Sequence, residues 1–219
     1  MLPADKEIIQ IKLQKMDTFC YMIADKASKT CALVDPAFNT DRVLKIISDY
    51  NYRVTHVINT HYHFDHTAGN HAIIAKTRAK LLIHEFDVDG LFHFSTILLT
   101  KAFGGKLSPR PDVLLQDNDD IFIGRTKIHI IHTPGHTTGG ICIYVEGNLF
   151  TGDSLFVGNV GRTDLYGSSE SLLLSSIQSR IYTLPDKTII WPGHDYGEFP
   201  YSTVDYERKN NPFTKRLRK

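Results

Sequence analysis

Three cysteines in 219 residues are too few and too scattered to form a disulfide framework. Cys20, Cys31 and Cys142 sit among apolar neighbours, so they read as small core hydrophobes in a reducing compartment. Long apolar runs are missing too: none approaches the ~20 residues that a spanning helix requires. Met1 to Glu7 lacks the basic-then-apolar order of a secretory signal, and a cytoplasmic location is expected. Charge of one sign is also scarce. With 25 Lys and Arg against 24 Asp and Glu, the net charge is +1, and no strong field is directed at nucleic acid or an anionic membrane. No stretch is rich enough in Gly, Ser or Pro to mark a boundary, so one domain over 1–219 is expected.

What the chain does have is an ordinary globular composition, 42% hydrophobic and 22% charged, and eleven histidines. Short apolar runs at Ile8 to Leu13, Phe19 to Ile23 and Cys31 to Val34 predict strands, with a hairpin turn at Asp25 to Lys29. Proline after Val34-Asp35 ends the third. Asp41 to Tyr50 carries a helical stripe with Thr40 or Asp41 as its N-cap. A strand at Val54 to Ile58, a polar loop at Thr60 to His66, a helix at Thr67 to Thr77 and a strand at Leu81 to Ile83 follow. Glu85 to Pro111 reads as a short helix plus a mobile loop over a site. Strands return around Ile121 to Ile123, Lys127 to His132, Ile141 to Val145, Asn148 to Thr151 and Thr188 to Trp191, with a long helix at Ser169 to Ile181. No sequence repeat is visible, yet both halves share this order. Two sheets packed face to face with helices outside would satisfy it.

The segment that carries chemistry is Thr60-His61-Tyr62-His63-Phe64-Asp65-His66, directly after an apolar strand. In extended chain His61, His63 and Asp65 share one side. Three imidazoles and a carboxylate so close are costly unless they share a partner, and zinc and other transition metals accept this donor set. Further candidate donors follow predicted strands, each preceded by glycine: His136 in Thr-Pro-Gly-His-Thr, Asp153 in Phe-Thr-Gly-Asp, and His194 in Trp-Pro-Gly-His-Asp. His56, His71, His84, His93, His129 and His132 are expected to be structural or superficial, with His93 set apart because its segment can border a pocket.

HxHxDH, a lone His, Gly-Asp and a final His, in this order, resemble the motif series of the metallo-β-lactamase superfamily. The octapeptide Thr60 to Thr67, Thr-Pro-Gly-His-Thr and Phe-Thr-Gly-Asp-Ser-Leu-Phe are similar to its glyoxalase II (hydroxyacylglutathione hydrolase) branch. Gly161 to Asp164 and Ser202 to Arg208 resemble small single-domain glyoxalase II-like proteins and persulfide dioxygenases. The resemblance implies an α+β fold, the αββα sandwich. It implies one metal on His61, His63 and His136 and a second on Asp65, His66 and His194, bridged by Asp153. Two divalent ions are thus expected, zinc first, with iron or manganese as alternatives. Asp65 and Asp153 are the expected catalytic carboxylates. Thr60, Thr137 and Asp164 are candidate supports for the ligands, Asp164 first, with an Arg162 ion pair as its other reading.

The function expected from this resemblance is hydrolysis of a small-molecule thioester by a hydroxide bridging the metals. A thiolate with a pKa near ~8.5 leaves with little protonation. About 25 residues follow His194, too few for the helical domain that holds glutathione in longer relatives, so a glutathione thioester or another thioester remains the choice. Lys215 to Lys219 is expected to be a solvated end. The alternative is a mononuclear-iron persulfide dioxygenase using His61, His136 and Asp153. A nuclease is disfavoured by the near-neutral charge. A purely structural metal site is disfavoured by mixed ligands that leave coordination open. The oligomeric state has no signature in the sequence.

Overall fold

The computed structural model describes residues 5–215, so the basic tail beyond Lys215 and the first four residues lie outside the described residues. In chain order the elements are β1 (Lys6–Lys12), β2 (Phe19–Asp25), β3 (Thr30–Val34), α1 (Thr40–Asp49), β4 (Arg53–Ile58), α2 (Phe64–Thr67), α3 (Asn70–Thr77), β5 (Lys80–His84), α4 (Phe94–Ala102) and β6 (Val113–Leu115). Then come β7 (Asp120–Ile123), β8 (Thr126–His132), β9 (Ile141–Val145), β10 (Asn148–Gly152), β11 (Leu155–Phe156), β12 (Asn159–Val160), α5 (Glu170–Ser176), β13 (Ile189–Pro192), β14 (Ser202–Thr203) and α6 (Val204–Asn210). Two six-stranded sheets result, ordered β1-β2-β3-β4-β5-β6 and β14-β13-β10-β9-β8-β7, beside a small β11-β12 hairpin. This is the expected α+β sandwich, with α1 and α3 outside one sheet and α5 and α6 outside the other.

Burial on both faces explains why the strands read as apolar runs. In β2, Phe19, Tyr21 and Ile23 face the second sheet, packing with Ile58, Ile128, Ile130, Ile143 and Phe150. The alternate residues Cys20, Met22 and Ala24 pack with Val43 and Ile47 of α1 and Ile73 of α3. On the far side, Cys142 and Leu149 pack against Leu173 and Ile177 and against Val204 of α6. All three cysteines are free and buried.

Two expectations are corrected, and one element is added. The polar stretch Thr60 to His66 is not all loop, since Phe64–Thr67 forms one helical turn. The long helix from Ser169 is α5 followed by a wider π turn, Ile177–Ile181. The segment after Tyr201 contains α6, whose N-cap Thr203 accepts from the Tyr206 amide, with Asp205 in its first turn and Arg208 and Lys209 in its last.

Phe150 lies between the sheets, fully buried and edge-on to Tyr21 at 4.9 Å. Phe150→Ala should cost about 3–5 kcal/mol in urea unfolding. Phe122→Ala, at an exposed position, should stay within about 0.5 kcal/mol.

Candidate metal centre

The seven candidate side chains converge at one end of the sandwich. His61 and His63 lie in the loop leaving β4, and the turn of α2 swings Asp65 and His66 back toward them. His136, Asp153 and His194 follow β8, β10 and β13. Because β10 and β13 are parallel, Asp153 and His194 emerge on the same edge. Gly152, at φ 47°, is needed both for its left-handed backbone and for space, since a Cβ there would lie 2.4 Å from Thr60 Oγ1. Three sets bring their donor atoms within 4.8 Å of one another: His61, His63 and His136; His61, His66 and Asp153; and Asp65, His66 and His194.

Outward hydrogen bonds decide which nitrogens face inward. His136 Nδ1 donates to the Arg162 carbonyl and His194 Nδ1 to the Met16 carbonyl, both at 2.8 Å. His66 Nδ1 donates to Asp35 Oδ2 at 3.0 Å. The Thr60 hydroxyl donates to the same Asp35 oxygen at 2.6 Å, so it accepts from His61 Nδ1 at 3.1 Å. A carbonyl only accepts, which puts the proton on Nδ1 and, in the neutral ring, a lone pair on Nε2. With neutral rings the contact of His66 Nε2 with His194 Nε2 at 3.1 Å joins lone pair to lone pair, so without a cation one of the two must carry a proton. His136 Nε2 turns its lone pair to His63 Nδ1 at 2.9 Å. His61 Nε2 and Asp153 Oδ1 are buried without a hydrogen-bond partner. Facing lone pairs and orphaned acceptors are a cost that a shared cation removes. The residues present therefore fit a metal.

The electrostatics agree. Asp153 is largely buried, which opposes its charge, yet His194 and His66 beside it hold its carboxyl well below the usual range. Its oxygens lie 3.2 Å from His66 Nε2, 3.5 Å from His136 Nε2 and 3.4 Å from His194 Nε2. Burial pushes His61 well below the ordinary imidazole value and His63 down to about 3. Burial also opposes charge on His66, but Asp153 and Asp35 outweigh it and hold that ring well above its ordinary value. An anion amid basic nitrogens is an environment that favours positive charge at its centre.

Two buried carboxylates act behind the cluster without having stood out in the sequence. Asp35, which read only as a strand end, serves both His66 and, through Thr60, His61. Asp87, in the stretch that read as loop, accepts from the Tyr62 amide at 3.1 Å, the Thr137 hydroxyl at 2.8 Å and the Gly139 amide at 2.6 Å. Asp164, by contrast, forms a two-pronged ion pair with Arg162 on the surface, and the Arg162 carbonyl, not Asp164, meets His136. In front of the cluster opens a cavity of about 670 Å³, walled by Tyr62, Leu99, Phe156, Tyr166 and Tyr196, with His93 at its border. The segment before Pro111 supplies part of that wall through His93 and through Ser95, Thr96 and Leu99 of α4, which follows two 3-10 turns.

Known proteins are similar to this chain in sequence and architecture. Residues 14–194 match the family described as the metallo-beta-lactamase superfamily. The chain is 32% identical over 190 residues to a hydroxyacylglutathione hydrolase of Pelagibacter ubique, covering 86% of this chain and 71% of that one. It is 30% identical over 198 residues to the mitochondrial persulfide dioxygenase of Homo sapiens, covering 89% and 70%. Among solved structures, the BLEG-1 B3 metallo-beta-lactamase superposes with a TM-score of 0.86 at 29% identity, covering 95% of this chain and 100% of that one.

Asp87 gives the site a pH signature. Burial pushes its carboxyl up to about 6, only partly offset by its three donors. Between about pH 4 and pH 6 the folded chain therefore holds a proton that the unfolded chain has released. The stability this group contributes is full below about pH 4 and is lost as pH rises through about 6, a drop on the order of 3 kcal/mol. Buried His61 and His63 contribute a rise over the same interval. The drop should therefore be read as the difference between wild type and Asp87→Asn in denaturant unfolding of metal-free protein, a difference that should shrink as pH rises from about 4 to about 6.

Proposed function

The chain belongs to the metallo-beta-lactamase superfamily, and on that footing we propose that it is a two-metal hydrolase of small-molecule thioesters. The observation that carries this reading is the position of Asp153. Its carboxylate lies between two inward-facing imidazole pairs, His63 with His136 and His66 with His194. We assign His61, His63 and His136 to one cation, Asp65, His66 and His194 to the other, and Asp153 to both. When bound, such cations supply Lewis-acid polarisation of a carbonyl and lower the pKa of a water toward neutrality.

The rest falls to the chain's own residues. Asp35, Thr60 and the carbonyls of Met16 and Arg162 fix the ring tautomers and aim them. Asp65 borders the cavity, where it accepts a hydrogen bond from the attacking water and orients it. Phe156, Tyr62 and Tyr196 take the apolar part of the substrate and exclude bulk water. Hydrolysis forms a bond from the water oxygen to the acyl carbon and breaks the carbon–sulfur bond. The sulfur departs as a thiolate with a pKa near ~8.5, so it needs little protonation to leave.

Relatives at nearly equal identity carry hydrolase and dioxygenase names, so metal content is the discriminating measurement. Protein produced with iron and zinc both available should hold about two metals per chain, mostly zinc. It should hydrolyse thioesters, lose that activity to a chelator and regain it on adding zinc. About one iron per chain, with oxygen uptake on a persulfide and no thioester cleavage, would overturn the reading.

A further inference from the structure

We propose that Asp87 is the positioning residue of the first metal triad, holding the loop of His61 and His63 against the loop of His136. This rests on the metal assignment above. Tyr62, whose amide Asp87 accepts, is the residue between His61 and His63, and Thr137, whose hydroxyl it accepts, directly follows His136. The first loop leaves β4 in one sheet and the second leaves β8 in the other. One fully buried carboxylate thus ties together ligand loops from both sheets. The Ile141 amide to the Thr60 carbonyl at 2.9 Å also links the two sides near this point, but it fixes the strand ends and not the loop beyond them.

The chemistry at position 87 is specific. Three donors converge on two oxygens, so the site accepts at both of them. An amide of the same shape turns one acceptor into an NH2 group that faces another donor. The second loop is also shaped to reach the carboxylate. A Cβ at Gly139 would lie 2.7 Å from both the Asp87 amide nitrogen and Oδ1, so this backbone comes close only because the residue is glycine. The second triad is anchored elsewhere, by Asp35 behind His66 and by the Met16 carbonyl behind His194. Losing the Asp87 contacts should therefore loosen one metal and spare the other. A purely structural role would not divide the two.

The test is zinc titration of metal-free protein in competition with a chelator. His63→Ala and His194→Ala mark the signature of losing each site. Wild type should bind two zinc ions. Asp87→Asn should weaken the site marked by His63→Ala by about 10- to 100-fold and leave the site marked by His194→Ala within about twofold. Thr137→Val, which removes one donor of three at nearly constant volume, should weaken the same site less, and it serves if Asp87→Asn does not fold. Equal weakening of both sites, or unchanged binding in a folded variant, would overturn the role of Asp87. Wild type that binds no zinc at the His63-dependent site would overturn the metal assignment itself, and the role with it.

Discussion

A carboxylate buried among imidazole nitrogens is unstable on its own terms, and much of the molecule is arranged around that fact. Asp153 has lost water from Oδ1, and its neighbours present lone pairs or shared protons. Such a cluster persists only if each ring is held from behind, because an unrestrained imidazole would turn its lone pair away. The backing groups come from far apart in the chain: Met16 before β2, Asp35 after β3, Thr60 after β4 and Arg162 after β12. The two sheets must meet at this end for those groups to arrive. The Phe19 amide bonded to the Gly193 carbonyl at 2.8 Å, and the bridge between Thr18 and His194, close that end.

Much of this was legible from the residues. Strands buried on both faces leave apolar runs, and β2, β3, β4, β8 and β9 fell where those runs lie. Donors spaced by two after a strand, and donors after Gly at strand ends, led to the seven side chains that the fold brings together. Asp35 and Asp87 left no such mark, since an aspartate beside proline or in a turn-rich stretch has an ordinary local explanation. Their side-chain partners lie 24 to 52 residues away, and only the fold reveals them. Asp164 attracted notice for its neighbours in sequence, but the side chain of Arg162 was closer than the metal centre. The α6 helix was within reach, for Thr203 followed by Asp205 and then by Arg208 and Lys209 is a capped helix with charges suited to its dipole.

The metal donors alone do not separate the chemistries found among the relatives, because the donor set a mononuclear iron would need is contained in the larger set. What distinguishes the two is whether the second triad is filled and what the walls present to the substrate. The walls here are mainly aromatic and aliphatic. Arg162, the one Lys or Arg on the described lining, is already engaged by Asp164. Substrate choice in such a cavity depends more on shape and apolar contact than on capture of an anionic group.

The two-sided burial of β2 has a consequence for how the chain is made. Its outward residues Cys20, Met22 and Ala24 are covered by elements that end at Thr77, but Phe19, Tyr21 and Ile23 wait for Phe150. At a synthesis rate of roughly 5–20 residues per second, the sandwich-facing side of this strand stays uncovered for something on the order of 10 s after it emerges. During that interval the nascent first sheet is an apolar surface without its partner, open to chaperones and to other unfinished copies of itself.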